Sequence, residues 1–313
     1  MALDPELEAT LGVGAGKRAP SIRDFSIEQL RRFSDEQALL TDPQPPQVER
    51  IRLLSIPLSS GSYDARLYEL DARHEPSGLL VWVHGGGFVV GSLDGYDAAY
   101  RRLCAGTGMA VLGITYSLAP EHPFPAGFDN VVESIAWVQE HADQFGVSTN
   151  DIIIGGDSAG ALLALEAALM RAKAQRPLRG LVLAYPTAGP EIKSASMHDM
   201  ADGYLLSADA MNFCYELYLA GVDNHADPRI SPLLSLDLPQ APPTILSVAG
   251  FDPLHDEGLA LCGLLEGAGV AVTFLSEPEM IHGYLTLGGI SQGARLAIDR
   301  LCQGITALLA AEI

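Results

Sequence analysis

A serine between small residues offers the clearest chemistry in this sequence. Residues 156–160 read G-D-S-A-G, so Ser158 has a glycine two positions away on each side. Residues 152–154 before the motif are all isoleucine, and residues 161–170 after it include one polar residue, Glu166. With 32 glycines in the chain, a G-x-S-x-G match can arise by chance, but a buried strand before it and a buried helix after it are the context that the motif requires. The sequence therefore predicts a nucleophile elbow, a sharp turn that exposes the Ser158 hydroxyl.

The nucleophile needs two partners. A serine hydroxyl becomes reactive when a base removes its proton, and the base needs an acid that orients it and stabilises its charge. After a strand–elbow–helix unit, the acid and then the histidine are expected later in the chain, each just after a strand. Asp252 follows the apolar run 244–249, and His282 follows the run 271–275. We predict that Ser158, Asp252 and His282 are the catalytic residues.

Other histidines and acids are alternatives for these two roles. His255 is the main alternative to His282 as the base, because it lies next to the acid loop. Asp256 and Glu257 are alternatives to Asp252, but we expect them in the first turn of a helix, where the helix dipole stabilises carboxylates. The other histidines considered are expected in a polar turn, in a surface helix or in an insertion, and they are His74, His141, His198 and His225.

A glycine run can stabilise the transition state. Acyl transfer places negative charge on a carbonyl oxygen, which preorganised N–H donors must meet. Residues 84–88 read H-G-G-G-F and follow an apolar run, upstream of the elbow, where esterases carry their H-G-G-G motif. Taken alone, the run would fit a flexible glycine turn better. Its position predicts an oxyanion hole built from the N–H groups of Gly86, Gly87 and Ala159, with His84 bracing the loop.

Predicted strands and helices alternate along the chain, and they position these groups. Two runs with alternating polarity, 50–56 and 62–70, predict an antiparallel pair at a sheet edge. The other predicted strands are 79–83, 110–114, 152–155, 180–184, 244–249 and 271–275. The helices predicted between and after them are 96–107, 126–144, 159–174, 256–268 and 291–312. This alternation predicts an α/β fold with a mostly parallel eight-stranded sheet covered by helices on both faces, and ligands at the carboxyl ends of the strands.

Two segments do not fit the alternation. Residues 1–47 read as an accessory segment with a flexible stretch at 11–16 and a short helix capped by Ser26, so the catalytic domain is expected to span residues 48–313. About sixty residues separate the run ending at 184 from the run starting at 244, which is more than a crossover helix needs. We expect an insertion at about 187–225, with a helix near 207–219, that packs with the N-terminal segment over the site as a cap.

Composition excludes several classes of protein. The chain of 313 residues has a formal net charge of −20, which opposes binding to nucleic acid and to anionic membranes and favours neutral or cationic small substrates. Its four cysteines are scattered, which indicates free thiols rather than a zinc site or disulfide framework. The first residues are acidic, unlike a secretory signal, and no apolar window reaches the ~20 residues of a membrane span. We therefore expect a cytoplasmic protein without a metal or a membrane span.

Together these motifs resemble the hormone-sensitive lipase-like family of α/β-hydrolases, bacterial family IV, which includes acetyl esterases and short-chain carboxylesterases. The resemblance covers the chain from about residue 50 to its end and rests on H-G-G-G-F at 84–88, Y-S-L-A-P-E-H-P-F-P at 116–125, G-D-S-A-G at 156–160, D-P-L-H-D-E-G at 252–258 and H-G-Y at 282–284. It implies the triad Ser158, Asp252 and His282, a helical cap and no cofactor. Homodimers are frequent in the family, so a homodimer is a further expectation.

The family implies a serine carboxylesterase that hydrolyses short-acyl esters through an acyl-enzyme. The alternatives are a non-catalytic small-molecule receptor on the same fold, and a lactonase, amidase or lipase variant. Three positions depart from the family pattern, namely Thr115, Ser117 and Ala161, where an aspartate, an arginine and a glycine are usual. Five aromatic residues are candidates for lining an acyl or alcohol pocket, or for ordinary packing: Phe88, Tyr185, Tyr204, Phe213 and Tyr284.

Overall fold

The computed structural model describes residues 2–12, 21–71, 76–190 and 193–311. Its centre is one sheet of eight strands in the order β1-β2-β4-β3-β5-β6-β7-β8. The strands are β1 Arg50–Leu58, β2 Gly61–Glu69, β3 Leu79–Val83, β4 Ala110–Ile114, β5 Ile152–Asp157, β6 Gly180–Ala184, β7 Thr244–Phe251 and β8 Val272–Ile281. Strand β2 pairs antiparallel with β1 and with β4, and every other pairing is parallel. The predicted α/β fold and the antiparallel pair at its edge are confirmed.

Helices lie on both faces of this sheet. They are α1 Pro5–Leu11, α2 Ile27–Thr41, α3 Asp97–Thr107, α4 Ala126–Glu140, α5 Ala159–Lys173, α6 Ala195–Asp199, α7 Ala208–Tyr218, α8 His255–Gly267 and α9 Gln292–Ala310. Buried side chains of α4, α5 and α8 form one hydrophobic cluster with one face of the sheet, and those of α3 and α9 form a second cluster with the other face. The strands β3 to β6 are buried along their whole length because both of their faces are covered.

The N-terminal segment contacts the insertion between β6 and β7. Ser26 caps α2 with the reciprocal hydrogen bonds of a capping box, and α2 continues for 15 residues, longer than the short helix that we predict. The Arg23 guanidinium pairs with Glu216 and Asp209 of α7, at 2.7 and 2.9 Å. Helix α7 corresponds to the helix predicted near 207–219, with Ser207 as its N-cap. Residues 13–16 of the predicted flexible stretch, and His74, lie outside the described residues.

Two further expectations concern the cysteines and the membrane. All four cysteines carry free thiols, and Cys104, Cys262 and Cys302 are buried while Cys214 is partly buried. Within the described ranges, no helix is long and apolar enough to cross a membrane.

One buried carboxyl group in the core makes a pH-dependent contribution to stability. Glu166 on α5 is 5% exposed, and its Oε1 atom has no hydrogen-bond partner in the described structure. Burial raises the pKa of Glu166 from its ordinary 4.5 to about 8. The folded chain therefore binds this proton more tightly than the unfolded chain does. As a result, the free energy of unfolding falls as the pH rises from about 4.5 to about 8.

We expect Glu166→Gln to remove this part of the pH dependence, because the amide cannot ionise. Each pKa unit corresponds to about 1.4 kcal/mol, so the variant should gain on the order of a few kcal/mol over the wild type near pH 8 and little near pH 4. Urea unfolding of both proteins across this pH range measures the difference. Stability curves that stay parallel at all pH values would contradict the assignment.

Candidate active site

The turn between β5 and α5 has a backbone that only small residues permit. Ser158 lies between the two elements with φ 53° and ψ −122°, a strained conformation for a residue with a side chain. A Cβ atom at Gly160 would lie 2.1 Å from the Val83 carbonyl oxygen, and one at Gly156 would lie 2.4 Å from the Gly160 carbonyl oxygen. Both glycines are therefore required for strand and helix to approach this closely. The geometry has the form predicted for the elbow.

The structure brings Ser158, His282 and Asp252 together in one hydrogen-bonded chain. Asp252 directly follows β7, and His282 directly follows β8. The His282 Nε2 atom lies 2.9 Å from Ser158 Oγ, and its Nδ1 atom lies 2.8 Å from Asp252 Oδ2. The Asp252 side chain is fully buried, and its Oδ1 atom accepts the Leu254 N–H at 2.8 Å. Because all three loops leave the carboxyl ends of parallel strands, they meet at the same edge of the sheet.

These contacts determine the proton positions on the imidazole. A carboxylate only accepts hydrogen bonds, so the Asp252 contact requires the proton of a neutral His282 to be on Nδ1. Nε2 then carries a lone pair and accepts the hydrogen bond of the Ser158 hydroxyl. The arrangement is therefore prepared for transfer of the serine proton to His282.

The alternative residues have other partners. The His255 Nδ1 atom lies 2.8 Å from the Ala249 carbonyl oxygen. Asp256 and Glu257 are in the first turn of α8, as predicted, and Asp256 accepts the Ser196 N–H at 2.9 Å. None of these contacts involves Ser158.

The glycine loop exposes its backbone N–H groups. Gly86 and Gly87 have φ values of 114° and 61°, and their N–H groups have no acceptor in the described part of the chain. Ala159 is the first residue of α5, so its N–H has no acceptor within the helix. Within the described residues, these three N–H groups are thus available to an external acceptor.

Buried side chains hold the glycine loop against the elbow. Asp157 accepts hydrogen bonds from the Gly85 N–H at 3.2 Å, Trp82 Nε1 at 3.1 Å and the Tyr96 hydroxyl at 2.8 Å. Burial raises its pKa. Burial lowers the pKa of His84 to about 4, so His84 is neutral and donates through Nδ1 to the Gly85 carbonyl oxygen at 2.8 Å. His84 thus has the bracing contact expected of it, and Asp157 adds further contacts to the same loop.

The five candidate pocket aromatics lie in different places. Tyr185 and Tyr284 are buried in a second layer, because the Tyr185 ring packs edge-on against His282 at 4.8 Å and Tyr284 packs against Tyr185 at 4.9 Å. Phe88 is buried at the glycine loop. Tyr204 packs against Phe251, with ring centroids 5.3 Å apart. The fifth, Phe213 on α7, is partly buried beneath the Arg23 guanidinium.

Helix α7 packs directly on the glycine loop. The Phe88 ring stacks on Tyr218 with centroids 3.8 Å apart. The Cys214 side chain is so close to Gly87 that a Cβ atom at Gly87 would lie 2.5 Å from its sulfur. The sequence does not predict that Cys214 and Tyr218 contact the glycine loop, since no motif surrounds them. Their only signal is membership of a Tyr- and Phe-rich helix in the insertion.

Arg31 on α2 is a third residue with contacts at the site that the sequence does not predict. Its guanidinium donates to the Val89 carbonyl oxygen at 2.9 Å and to the Ala119 carbonyl oxygen at 3.0 Å, and it pairs with Glu121 at 2.6 Å. The N-terminal segment is therefore hydrogen-bonded to the backbone that follows the glycine loop. A single arginine on a helix carries no pattern that predicts such a contact.

A family model described as alpha/beta hydrolase fold matches residues 80–286. The chain belongs to the α/β-hydrolase fold family. This membership confirms the predicted resemblance, and similar proteins agree with it. Ethyl acetate hydrolase of Pseudomonas putida is 33% identical over 306 residues, which cover 94% of this chain and 95% of the relative. Carboxylic ester hydrolase LipN of Mycobacterium tuberculosis is 38% identical, over 82% of this chain and 70% of its own.

Solved α/β-hydrolase structures match over nearly the whole chain. The hyperthermophilic esterase from the archaeon Pyrobaculum calidifontis superposes with a TM-score of 0.91 at 29% identity, covering 99% of this chain and 100% of that chain. The ester hydrolase EH1AB1 from the Lake Arreo metagenome, solved with a bipyridine phosphonate derivative, has a TM-score of 0.90 at 30% identity, over 98% and 99% of the two chains.

At two of the three positions where this α/β-hydrolase departs from the family pattern, the residue makes hydrogen bonds between neutral groups. The Ser117 hydroxyl lies 2.8 Å from the Tyr63 hydroxyl, and its N–H donates to Asn130 at 2.9 Å. Thr115 donates through its hydroxyl to the Asp64 carbonyl oxygen at 2.8 Å. Ala161 is fully buried in the core. The loop is thus braced without an ion pair between positions 115 and 117, and an alanine fits after the elbow.

We expect Arg31→Ala to lower kcat/KM by about tenfold, equivalent to about 1.4 kcal/mol, because two carbonyl groups next to the glycine loop lose a charged donor. Arg32→Ala is the matched control, since Arg32 is on the same helix, is exposed and contacts Glu36 at 3.8 Å. Steady-state kinetics of both variants on one ester provide the measurement. Equal rates for the two variants would show that Arg31 does not support the site.

Proposed function

We propose that this protein is a serine carboxylesterase that hydrolyses short-acyl esters through an acyl-enzyme intermediate. The observation that carries the proposal is the continuous chain from Ser158 Oγ through His282 to the buried carboxylate of Asp252. Relatives named ethyl acetate hydrolase and carboxylic ester hydrolase support the reaction class.

Acylation begins at Ser158. Its oxygen attacks the ester carbonyl carbon while Nε2 of His282 takes its proton, and the resulting imidazolium is stabilised by Asp252. The tetrahedral intermediate then collapses, the C–O bond to the alcohol breaks, and His282 protonates the departing oxygen. Water attacks the acyl-enzyme in the same way, which releases the carboxylic acid and returns the proton to Ser158.

The negative charge of each tetrahedral intermediate falls on the former carbonyl oxygen. In our proposal, the N–H groups of Gly86, Gly87 and Ala159 bind this oxygen. The donors are fixed in advance, since positive φ values set the loop and Asp157 holds it to the elbow. Such preorganised donors stabilise the transition state without reorganisation during the reaction.

Limited space above the serine supports a preference for short acyl chains. Ser158 and His282 are each only 8% exposed. Helix α7 lies on the glycine loop through Cys214 and Tyr218, close to where the ester carbonyl binds in this mechanism. We propose that residues 1–47 and the insertion at about 187–225 form the cap of the enzyme. A net charge of −20 favours neutral or cationic esters.

We expect Ser158→Ala to lower ester turnover by about 10⁴-fold or more while the protein stays folded, because it removes the nucleophile. The measurement is the hydrolysis rate of a short-chain aryl ester, with the thermal unfolding midpoint as the folding check. Ser117→Ala, in a neighbouring loop, is the serine control and should keep its activity within a few-fold.

A serine-directed phosphonate tests the same assignment by intact mass. The wild type should gain one phosphonyl group, and Ser158→Ala should gain none. A wild-type chain that remains unlabelled would favour the non-catalytic receptor, although the intact base and acid oppose that alternative.

We expect the rate across a series of esters to peak at acyl chains of about two to six carbons. The reason is that α7 closes the space beside the glycine loop, so longer chains must displace it. The measurement is kcat/KM for one alcohol with acyl chains from two to about twelve carbons. A maximum at the long end would reject the short-acyl assignment and leave ester hydrolysis in place.

A further inference from the structure

Glu257 is a buried carboxyl group beside the triad that the proposed reaction does not use. It lies in the first turn of α8 and is 1% exposed. Its Oε2 atom accepts the Ala188 N–H at 2.8 Å and the Thr187 hydroxyl at 3.5 Å. Its Oε1 atom has no partner among the residues that the structure describes. The helix dipole favours a carboxylate in the first turn of a helix. It does not explain why the carboxyl group of Glu257 is buried.

The hydrogen bonds of Glu257 continue into α7. The Thr187 Oγ1 atom lies 2.6 Å from the Tyr215 hydroxyl. Because Thr187 donates to Glu257, the Tyr215 hydroxyl donates to Thr187. The Tyr215 ring is in turn tilted against Phe88 of the glycine loop, with centroids 5.9 Å apart. A single polar chain therefore connects the acid helix to the helix that lies on the glycine loop.

The same segment also contacts the nucleophile and the base. The Thr187 N–H donates to the Ser158 carbonyl oxygen at 3.4 Å, and the Ser158 N–H donates to Ala184 at 2.9 Å. Tyr185 packs edge-on against the His282 ring. The segment from Ala184 to Ala188 thus touches two triad residues, and Glu257 binds its far end.

The charge state of Glu257 suits this position. Burial, with a smaller contribution from Asp252, raises the pKa of Glu257 to about 8. At neutral pH most molecules therefore hold the proton on Glu257. Asp252 then faces no negative charge on Glu257 while it stabilises the imidazolium of His282.

We propose that Glu257 is a positioning residue that couples α7 to the triad through Thr187 and Tyr215. The proposal rests on the proposed function, because it concerns how the geometry of that site is maintained. Small displacements of a nucleophile from its attack position cost large factors in rate. The coupling should therefore appear in kcat more than in KM.

We expect Glu257→Leu to lower kcat by about ten- to a hundredfold with KM changed by less than about threefold, because the Ala188 N–H and the Thr187 hydroxyl lose their acceptor. Glu257→Gln keeps an acceptor oxygen and the shape, so its kcat should stay within a few-fold of the wild type. Glu166→Leu is the matched control, because Glu166 is also buried, its pKa is also raised to about 8, and within the described residues no hydrogen bond joins it to Thr187 or Tyr215. It should leave kcat unchanged.

A double-mutant cycle separates coupling from a general loss of packing. Tyr215→Phe should lower kcat about three- to tenfold in the wild type. It should have no further effect in Glu257→Leu, because that substitution already interrupts the series of hydrogen bonds from Glu257 to Tyr215. Tyr218→Phe is the comparison on the same helix, since the buried Tyr218 hydroxyl has no partner within the described residues. Its effect, whatever its size, should be equal in both backgrounds.

Two results would overturn the proposal. One is a Glu257→Leu enzyme that keeps at least half of the wild-type kcat, and the other is additivity of Tyr215→Phe with Glu257→Leu. If Glu257→Leu does not fold, Thr187→Val breaks the same chain and replaces it in the cycle. Phosphonate labelling of Ser158 in every variant separates this test from the proposed function, because labelled variants with unchanged kcat would reject the coupling and keep the serine hydrolase.

Discussion

The close approach of backbone at the elbow is the constraint on which the rest of the site depends. Gly156 and Gly160 leave no room for a Cβ atom, and this contact forces Ser158 into a positive φ that directs its hydroxyl out of the sheet edge. A strained residue persists only where its surroundings over-determine its conformation. Here the Ser158 N–H donates to Ala184 at the end of β6, and the Ser158 carbonyl oxygen accepts the N–H of Thr187 just after it. The strain at the nucleophile is thus held by the neighbouring strand.

Contacts from three directions stiffen the site, and most of them involve the segment from Ala184 to Ala188. This segment carries Tyr185 against His282, and its end is bound by Glu257 of the acid helix and by Tyr215 of α7. Asp157 holds the glycine loop from the other side. Most of these groups are buried and neutral, so their hydrogen bonds act in a low-dielectric environment where a missing partner is costly. Alignment of the site therefore depends on polar contacts that solvent does not weaken.

The sequence was sufficient for the parts that local patterns encode. Strand positions, the elbow, and the placement of Asp252 and His282 after strands follow from short apolar runs and from the carboxyl-end rule. Seven strands have bounds within two residues of the prediction, but β8 continues to Ile281, six residues beyond its predicted end, so residues 276–281 are strand and not loop. The contacts of Arg31, Thr187 and Tyr215 could not be predicted, because each joins segments far apart in the chain and no spacing encodes them. The presence of an aromatic residue in the sequence also does not show whether its ring lines a pocket or packs behind the site. This is why Tyr185 and Tyr284 were candidates for lining and are found beneath the triad.

Arg23 and Arg31 attach the N-terminal segment to the rest of the protein, and the two attachments differ in strength. Arg23 binds Asp209 and Glu216 at the surface, where ion pairs contribute little and salt screens them. Arg31 instead donates to backbone carbonyl oxygens beside the glycine loop, in a partly buried position. Contact with α7 is therefore the weaker attachment, and contact with the core is the stronger one. Any opening above Ser158 should accordingly separate α7 from the N-terminal segment before the segment leaves the glycine loop, so that the glycine loop keeps its contact with Arg31.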